Sequence, residues 1–430
     1  MLSFRQRKKG WNMFRCTTEV KGIAIDLDSF TESTENWAEL INGYDCLFIT
    51  SDKKRKDDME RAYNAKILLI DAFVRNFIPN PEMQINVLRI LDIKESELAY
   101  LSANSKFVAN ALTFYSCVIY VTAKTMSYEE NPILPDLICT SIAQVKEFLD
   151  GRIVSYLGEE YLSQEDEKPS SAAIPVFEIN CDGEETILMC LGRYYGSKTY
   201  MRQLHPFSRI VFLNKTNGKA FRLHDDKFAE LLSAVVNTYL KDYSDCICSV
   251  PARTSSIDRF DTIVEKIAKD NGLENVSEKF IAKREYPTQK SLSYSARKEN
   301  VKDAFFFDGN LNGKRVIIID DIITTGNTLR ECAKTIRNAG ASEVILLVLA
   351  INQKETEYCT ANQPVIVCPQ CGSTMNLLIN SSKGSMFYAC GNCKNTVGYK
   401  QARRILLEQI NREFERDEVK NNEEIFDLPF

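Results

Sequence analysis

The stretch Arg315-Val-Ile-Ile-Ile-Asp-Asp-Ile-Ile-Thr-Thr-Gly-Asn-Thr-Leu329 decides the fold of this chain. Its apolar run from Val316 to Ile319 predicts a parallel strand that is covered on both faces. Asp320 and Asp321 follow at the carboxyl end of this strand, which is the edge where open α/β sheets bind ligands. The sequence therefore predicts an α/β fold with a ligand site at this edge.

A turn rich in hydroxyl groups follows the acid pair. Thr324, Thr325, Gly326, Asn327 and Thr328 are predicted to turn into a helix, so that backbone N–H groups and hydroxyls converge on one phosphate. The two carboxylates can accept hydrogen bonds from ribose hydroxyls, so a sugar phosphate fits both halves. The plainer alternative is an ordinary helix N-cap, but a cap needs one hydroxyl and no acid pair.

This segment resembles the phosphoribosyl-pyrophosphate (PRPP) motif of type I phosphoribosyltransferases. The resemblance covers residues 190–352 and is closest to the ComF-like branch, through the pieces Val250-Pro-Ala-Arg253, Asp258-Arg-Phe260 and Lys283-Arg284. It implies that the acid pair and the turn of residues 324–328 bind PRPP together with Mg²⁺. It also implies that a nitrogenous acceptor displaces pyrophosphate at C1, and that this acceptor binds in a variable hood, here residues 192–222.

Basic side chains are expected near the leaving group. Departing pyrophosphate carries several negative charges, which bound Mg²⁺ and arginine or lysine can stabilise as they develop. Arg253, Arg259, Lys283 and Arg284 are the candidates for this catalytic role. The alternative for each of them is a solvated surface charge.

A second acid pair ends the first predicted strand of the chain. In Gly22-Ile-Ala-Ile-Asp26-Leu-Asp28, one carboxylate can act as nucleophile and Mg²⁺ ligand and the other as acid or base. The pattern resembles the first motif of the haloacid-dehalogenase (HAD) phosphatases, and Thr50 and Ser51 are similar to the second motif, whose hydroxyl binds phosphate. The resemblance implies a HAD-like domain with Asp26 and Asp28 as catalytic, magnesium-binding residues.

Two features depart from the HAD pattern. Ser102 and Asn104 stand where that family places metal-binding aspartates, and Ile78 or Asn80 stands where it places a lysine. Loss of an anionic ligand weakens a hard oxygen site, and loss of the cation removes part of the neutralisation of a phosphoaspartate. Phosphatase activity and a HAD-like fold kept as a binding or docking module are therefore both retained as hypotheses.

Four of the fourteen cysteines form two Cys-x-x-Cys pairs. Cys368 and Cys371 are separated from Cys390 and Cys393 by eighteen residues, which is typical of a zinc ribbon with four thiolate ligands. Four protein ligands leave no position for water, so the zinc is expected to be structural. Redox-active cysteine pairs are the alternative, and nearby lysine and arginine residues form either a nucleic-acid surface or an ordinary solvated face.

Length and charge limit the remaining possibilities. A chain of 430 residues suggests about three domains at ~150 residues each. Its 54 basic and 59 acidic residues give a net charge of −5, so composition as a whole does not favour nucleic acid. Because no apolar stretch approaches the ~18 residues of a membrane span, a cytoplasmic protein without a membrane partner is expected.

The predicted fold class is α/β, with two doubly wound parallel-sheet domains, a small zinc ribbon and a C-terminal helix. The first domain is expected to be HAD-like and Rossmann-like, and the second to be a type I phosphoribosyltransferase. The predicted boundaries are residues 1–160 for the HAD-like domain, 161–175 for a linker, 176–352 for the transferase with its hood, 353–400 for the ribbon and 401–430 for the helix and tail.

Two classes of function follow from these features. The first is a magnesium-dependent transferase that uses PRPP to ribosylate a base or amine, after which the HAD-like domain removes the phosphate. The second is a non-catalytic protein that senses PRPP or nucleotides, or an accessory protein of DNA uptake whose zinc ribbon binds nucleic acid. A second copy of this chain, in a homodimer, is a further candidate partner.

Overall fold

A computed structural model describes most of the chain between residues 20 and 405. The described residues are 20–30, 37–114, 116–153, 155–161, 172–196, 205–214, 222–253, 258–284, 299–353, 366–379, 386–398, 401, 402 and 405. Most of the predicted linker 161–175, and all but three residues of the predicted C-terminal helix and tail 401–430, lie outside these ranges. The described residues form a mixed α/β structure with parallel sheets, which confirms the predicted class.

The first sheet contains six parallel strands. They are β1 (Gly22–Asp26), β2 (Asp45–Thr50), β3 (Lys66–Leu69), β4 (Leu98–Ser102), β5 (Cys117–Val121) and β7 (Leu137–Cys139). The short strand β6 (Met126–Ser127) lies between β5 and β7 in the sequence but is not part of this sheet. The spatial order is β3-β2-β1-β4-β5-β7. Every residue of β1, β4 and β5 is buried, as expected for parallel strands covered on both faces.

Helices connect the strands of this sheet. They are α1 (Ala38–Ile41), α2 (Lys53–Tyr63), α3 (Pro81–Leu91), α4 (Ser105–Ala111) and α5 (Ile142–Leu149). A polar side chain caps the start of several of them: Asp52 accepts hydrogen bonds from the N–H groups of Lys54 and Arg55, and Asn104 accepts from those of Lys106 and Phe107. Such caps satisfy N–H groups that have no partner within the helix.

The second sheet carries the sequence motif at Asp320 on a central strand. The next strands along the chain are β8 (Val176–Cys181), β9 (Glu184–Cys190), β10 (Arg193–Tyr195), β11 (Cys246–Ser249), β12 (Glu274–Asn275), β13 (Phe280–Ala282), β14 (Phe305–Phe307), β15 (Arg315–Ile323) and β16 (Glu343–Gln353). The spatial order is β12-β11-β15-β16-β9-β8-β6, β10 also pairs with β16, and β13 pairs with β14 in a separate antiparallel ribbon. Among the described strands of this sheet, β8 and β9 form the one antiparallel pair.

The helices of this half pack against the second sheet and its neighbours. They are α6 (Leu157–Tyr161), α7 (Pro206–Asn214), α8 (Asp225–Val235), α9 (Asp261–Asn271) and α10 (Asn327–Asn338). None of the helices within the described ranges is long and apolar enough to cross a membrane. The remaining strands, β17 (Met375–Ile379), β18 (Met386–Cys390) and β19 (Thr396–Gly398), form a small antiparallel sheet.

The two large sheets are linked through β6. Met126 and Ser127 pair in parallel with Phe177 and Glu178 of β8, although both neighbours of β6 in sequence belong to the first sheet. One cluster of buried apolar side chains also contains residues from both sheets, among them Tyr100 and Leu346. The two halves therefore share a core.

A buried group of charged side chains joins the same two halves. The guanidinium of Arg193, which is 1% exposed, lies 2.7 Å from Oδ1 of Asp136 and 2.9 Å from Oε2 of Glu159. His205 Nε2 lies 3.4 Å from the other oxygen of Glu159. Although burial opposes ionisation of Glu159, Arg193 and then His205 hold the pKa of this carboxyl far below its usual range. Arg193 therefore sits in a buried environment that depends on ionised partners.

Candidate functional site

The PRPP-like motif covers the last part of β15 and the turn after it; the strand runs further than predicted, so that Asp320 and Asp321 lie within it and not after it. β15 ends at Ile323, Thr324 and Thr325 turn the chain, and α10 begins at Asn327. Gly326 adopts a φ of 76°, a conformation that L side chains rarely take. A Cβ atom at this position would also lie 3.0 Å from Nη1 of Arg330 and 3.0 Å from Cδ1 of Ile179. Glycine is therefore required both by the backbone conformation and by the close packing of the turn.

Asp320 and Asp321 lie on a strand in which successive side chains point to opposite faces. Asp320 is half-buried, and its Oδ1 accepts a hydrogen bond of 2.8 Å from the N–H of Asp321. Asp321 is 5% exposed, and its Oδ2 lies 2.7 Å from Nη1 of Arg259. The acid pair thus lies within β15, two residues before its end, and a cation is already beside Asp321.

Arg259 reaches the acid pair because its neighbour Asp258 is anchored to the adjacent strand. Asp258 Oδ2 accepts a hydrogen bond of 3.1 Å from Ser249 Oγ at the end of β11, and its Oδ1 accepts one of 2.8 Å from the N–H of Phe260. β11 pairs directly with β15, with Ser249 opposite Ile319. Two adjacent strands therefore deliver a cation and two carboxylates to one edge of the sheet.

The other predicted catalytic cations are placed differently. Arg253 follows β11 at the same edge and is half-buried. Arg284 Nη2 donates to the backbone oxygens of Asn300 and Lys302 at 3.0 and 2.9 Å, and the Lys283 ammonium lies 5.2 Å from the centre of the Phe306 ring. These contacts hold Lys283 and Arg284 at the base of residues 285–298, which lie outside the described ranges.

Magnesium at this edge is consistent with the side chains that are present. Mg²⁺ in phosphate-handling sites takes one or two carboxylates, and the substrate's phosphate oxygens complete its ligands. Asp320 offers one half-buried carboxylate on the same strand end as the turn of residues 324–326, whereas Asp321 points to the opposite face and is paired with Arg259. The donor set therefore fits an ion that binds together with PRPP.

The structure also brings together the residues of the predicted HAD-like site. Ser51 donates to Oδ2 of Asp28 through its N–H at 2.8 Å and its Oγ at 2.7 Å, and Thr50 Oγ1 donates to Oδ1 of the same carboxylate. Ser102 Oγ donates to Oδ2 of Asp26 at 2.7 Å. The predicted phosphate-binding hydroxyls are thus engaged by a carboxylate.

Arg75 is the residue of this site that the sequence interpretation missed. Its Nη1 lies 2.9 Å from Oδ1 of Asp26 and 3.2 Å from Oδ2 of Asp28. It lies on the 3-10 helix Ala72–Phe77, whose start is capped by Asp71 through a 2.8 Å hydrogen bond from the N–H of Phe73. The expectation that this site lacks a cation was therefore wrong. The sequence could have indicated this cation, because Arg75 is the one basic residue between β3 and α3.

The electrostatics of the two carboxylates differ. Burial raises the pKa of Asp26, against the opposing effects of Ser102 and Arg75. Burial acts in the same direction on Asp28, but hydrogen bonds from Thr50 and Ser51 outweigh it and lower the pKa of this carboxyl. Asp28 is therefore the more firmly ionised member of the pair.

The predicted magnesium ion at Asp26 and Asp28 does not fit these contacts. Mg²⁺ needs several oxygen ligands in near-octahedral arrangement, whereas a guanidinium already bridges the two carboxylates. At the two family metal positions, Ser102 donates to Asp26 and accepts from the N–H of Asn104, while the Asn104 oxygen caps α4. No chemical step that depends on magnesium is therefore assigned to this site.

The four predicted zinc ligands converge at the small antiparallel sheet. The Sγ atoms of Cys368, Cys371, Cys390 and Cys393 all lie within 4.8 Å of one another, with separations of 3.5 Å between Cys368 and Cys393 and 3.4 Å between Cys371 and Cys390. Tetrahedral zinc with bonds of about 2.3 Å places its sulfur ligands roughly 3.8 Å apart. The cluster therefore fits a zinc ion.

Comparisons with known proteins found a matching family model and several relatives. A family model described as "Phosphoribosyl transferase domain" matches residues 290–376. Competence protein F from Haemophilus influenzae is 25% identical over 180 residues, which cover 38% of this chain and 72% of that protein. DNA utilization protein YhgH from Salmonella typhimurium is 32% identical over 159 residues, which cover 32% of this chain and 70% of that protein.

Among solved structures, a purine phosphoribosyltransferase from Pyrococcus horikoshii is similar at 14% identity and a TM-score of 0.21, over 31% of this chain and 85% of that one. The relatives YhgH and competence protein F each match about a third of this chain but more than two thirds of their own length. This chain belongs to the ComF-like family that includes the DNA utilization protein YhgH, and it carries a phosphoribosyl transferase domain.

Proposed function

We propose that the second domain transfers a phosphoribosyl group from PRPP to a nitrogenous acceptor and releases pyrophosphate. The observation that carries this proposal is the acid pair near the end of β15, which only Ile322 and Ile323 separate from the glycine turn and the start of α10. The 5-phosphate would lie in this turn, where backbone N–H groups, threonine hydroxyls and the positive end of the helix dipole favour an anion. The ribose ring would then lie beside the carboxylates.

In this reaction the bond between C1 and pyrophosphate breaks as the acceptor nitrogen attacks C1. Asp320 and Asp321 would accept hydrogen bonds from the ribose hydroxyls and stabilise the positive charge that develops on the ring, an effect that is largest in the transition state. Arg259, 2.7 Å from Asp321, is the described cation best placed to meet the leaving group. Bound Mg²⁺ supplies further neutralisation of the pyrophosphate charge.

The test is titration of the purified full-length protein with PRPP in the presence of Mg²⁺, followed by assay of pyrophosphate release with a panel of bases and amines. Saturable PRPP binding and pyrophosphate release with at least one acceptor are expected. Absence of PRPP binding would overturn the proposal. Binding without release for any acceptor would instead favour the sensing function described below.

For the N-terminal half, which we propose ends near residue 160, we infer a HAD-like module without metal-dependent phosphatase chemistry. Its six-stranded parallel sheet and the convergence of Asp26, Asp28, Thr50 and Ser51 support the HAD-like fold. The bridging position of Arg75 argues against a catalytic magnesium ion. Removal of the 5-phosphate from the transferase product is therefore not assigned to this domain. Incubation with nucleoside 5-monophosphates is expected to release no phosphate.

For residues 353–400 we propose a ribbon with structural zinc. The convergence of four cysteine sulfurs on one point supports it, because a four-thiolate site leaves no position for a reacting water. The zinc would hold together a three-stranded sheet whose short strands could bury little apolar surface alone.

A role in DNA handling is the second candidate function. The names of two relatives, competence protein F and DNA utilization protein YhgH, favour it. In this case the transferase fold would sense PRPP or a nucleotide, and the zinc ribbon would contact nucleic acid. A gel shift with single-stranded DNA that weakens steeply with added salt would support this function. The cytoplasmic location and the homodimer stay predictions.

A further inference from the structure

The phosphate-binding turn has a front that would face the phosphate and a back that faces the protein. In a trans peptide the C=O of one residue and the N–H of the next point in opposite directions across the same plane. A hydrogen bond that fixes the carbonyl of Thr324 therefore also fixes the direction of the Thr325 N–H. A bond to the Thr325 carbonyl does the same for the N–H of Gly326.

Both of these carbonyl groups accept hydrogen bonds from side chains. Tyr128 Oη donates to the oxygen of Thr324 at 3.0 Å. Arg330 Nη1 donates to the oxygen of Thr325 at 2.6 Å. The N–H groups of Thr325 and Gly326 consequently point away from Tyr128 and Arg330.

The two donors are themselves held in place. Arg330 Nη2 lies 2.6 Å from Oε1 of Glu129, and its Nε donates to the backbone oxygen of Asn180 at 2.8 Å. Although burial opposes ionisation of Glu129, the hydrogen bond from Arg330 lowers the pKa of this carboxyl, so that it is charged at neutral pH. The Tyr128 side chain is 3% exposed and packs edge-on against Phe177, with ring centres 6.1 Å apart.

The origin of these residues in the chain is informative. Tyr128 and Glu129 directly follow β6, the strand that crosses from the first sheet to the second. Tyr128 contacts Thr324 of the turn across 196 residues of sequence, and Glu129 contacts Arg330 across 201. The back of the transferase site is thus built partly by the N-terminal half.

We propose that Tyr128, Glu129 and Arg330 are positioning residues of the phosphate-binding turn, which hold two carbonyl groups away from the phosphate and direct two N–H groups towards it. The inference rests on the proposed function, because it takes the 5-phosphate of PRPP as the anion in the turn. None of the three residues contacts the substrate. The N-terminal half, through this contact, completes the binding site of the transferase domain.

The close packing of Gly326 supports this arrangement. The Arg330 guanidinium lies so near the turn that a Cβ atom on residue 326 would meet it at 3.0 Å. The glycine therefore leaves space for the Arg330 guanidinium and also adopts the left-handed backbone conformation. A side chain at this position would require the guanidinium and Ile179 to shift by a few tenths of an ångström.

The test compares two ligands that occupy different parts of the PRPP site. Under the proposed function, ribose 5-phosphate would use the turn, whereas magnesium pyrophosphate would bind on the C1 side of the ribose and would not touch the turn. Dissociation constants for both are measured by calorimetry on full-length wild type, Tyr128→Phe, Arg330→Lys and the matched control Arg337→Lys. Arg337 lies on the same helix as Arg330 and also contacts the β8–β9 hairpin, at 2.8 Å from Glu184. Its polar contacts are with Cys181, Glu184 and Thr186 of this hairpin and not with the turn.

Tyr128→Phe removes one hydroxyl and keeps the packed ring, so it is expected to weaken ribose 5-phosphate binding about fivefold, the effect of one hydrogen bond. Arg330→Lys is expected to weaken it more than about tenfold, because a lysine cannot keep the carbonyl, Glu129 and Asn180 contacts together. Pyrophosphate affinity should stay within about twofold of wild type in all variants, and Arg337→Lys should match wild type for both ligands.

The outcomes separate the two levels of the proposal. Wild-type protein that binds neither ligand overturns the proposed function and this inference with it. Wild-type protein that binds both, with ribose 5-phosphate affinity unchanged in Tyr128→Phe and Arg330→Lys, overturns the inference alone. Equal loss of affinity for both ligands would indicate general damage to the domain and would also overturn the positioning role.

Discussion

Arg75 Nη1 lies 2.9 Å from Oδ1 of Asp26, in a site where the HAD resemblance implied magnesium. The same nitrogen lies 3.2 Å from Asp28, so one guanidinium neutralises both carboxylates. Asp26 is fully buried, and an ionised carboxylate without a partner would be costly there. The protein thus supplies from its own chain the positive charge that a metal ion would otherwise provide.

Replacement of Arg75 should expose the latent metal site. Zinc-loaded wild type without PRPP is expected to show no Mn²⁺ bound at Asp26 by electron paramagnetic resonance. Arg75→Ala is expected to gain one weak site, with a dissociation constant on the order of 1 mM, because two carboxylates then lack a cation. Arg89→Ala, which removes an exposed arginine on α3, is the control. Mn²⁺ bound to wild type and lost in Asp26→Asn would contradict the assignment.

The acid pair of β15 should be essential for transfer and dispensable for folding. Asp320→Asn and Asp321→Asn are each expected to lower the rate of pyrophosphate release at least about 100-fold, because a neutral amide no longer stabilises charge on the ribose ring. Asp308→Asn, an exposed acid after β14, is the control and should retain full activity. Melting temperatures measured alongside distinguish lost chemistry from lost structure. Full turnover in both acid-pair variants would contradict their assigned role.

The buried charges around Arg193 should contribute strongly to stability. Glu159→Gln is expected to lower the free energy of unfolding by about 3 kcal/mol, because it leaves the buried guanidinium with less compensation. Lys334→Ala, which breaks an exposed ion pair with Asp182, should cost less than about 1 kcal/mol. Urea unfolding followed by circular dichroism measures both. An equal effect of the two substitutions would argue against the network.

The low pKa of Glu159 predicts that the folded protein loses stability as the pH falls. The pKa of Glu159 is held far below its ordinary value of 4.5 in the folded state, so the unfolded chain takes up a proton first as the pH falls. Stability from this group is therefore fully present above pH 4.5 and lost at lower pH. Between pH 6 and pH 4, wild type should lose more stability than Glu159→Gln. Parallel losses in the two proteins would contradict the direction of this shift.

Loss of a cysteine ligand should release zinc without affecting PRPP binding. Wild type is expected to contain one zinc ion per chain by elemental analysis, and Cys371→Ser less than half of that, since three thiolates hold the ion more weakly. Cys139→Ala, a buried thiol outside the cluster, should retain zinc. Full zinc content in Cys371→Ser would show that the ion, if present, binds elsewhere.

Local patterns in the sequence were sufficient to place the PRPP-like motif near the carboxyl end of a central strand. Apolar residues 316–319, the acid pair and the glycine turn are adjacent in the chain, so their relation could be inferred without tertiary contacts. The four cysteines were similarly recognisable from spacing alone. Short apolar runs were less informative: the run from Ile210 to Leu213 lies within α7, and its composition alone is compatible with either a buried helix or a buried strand.

The contacts that could not be predicted are those between distant parts of the chain. Arg75 approaches Asp26 across 49 residues, and Tyr128 approaches Thr324 across 196. Arg193 lies in the region expected to form the acceptor hood, but its side chain is buried among Asp136 and Glu159. Periodicity and motif spacing do not specify which side chains meet in tertiary structure, so these partners required the fold.

The crossing of β6 has a consequence for synthesis on the ribosome. The first sheet can form as soon as Cys139 has emerged, but residues 126 and 127 then lack their partner until β8, some fifty residues later, has left the exit tunnel. During that interval β6, with Tyr128 and Glu129 directly after it, has no partner strand. Exchange of the N-terminal half for that of another protein would remove β6 and leave the outer edge of β8 unpaired. The two halves should therefore be inherited together.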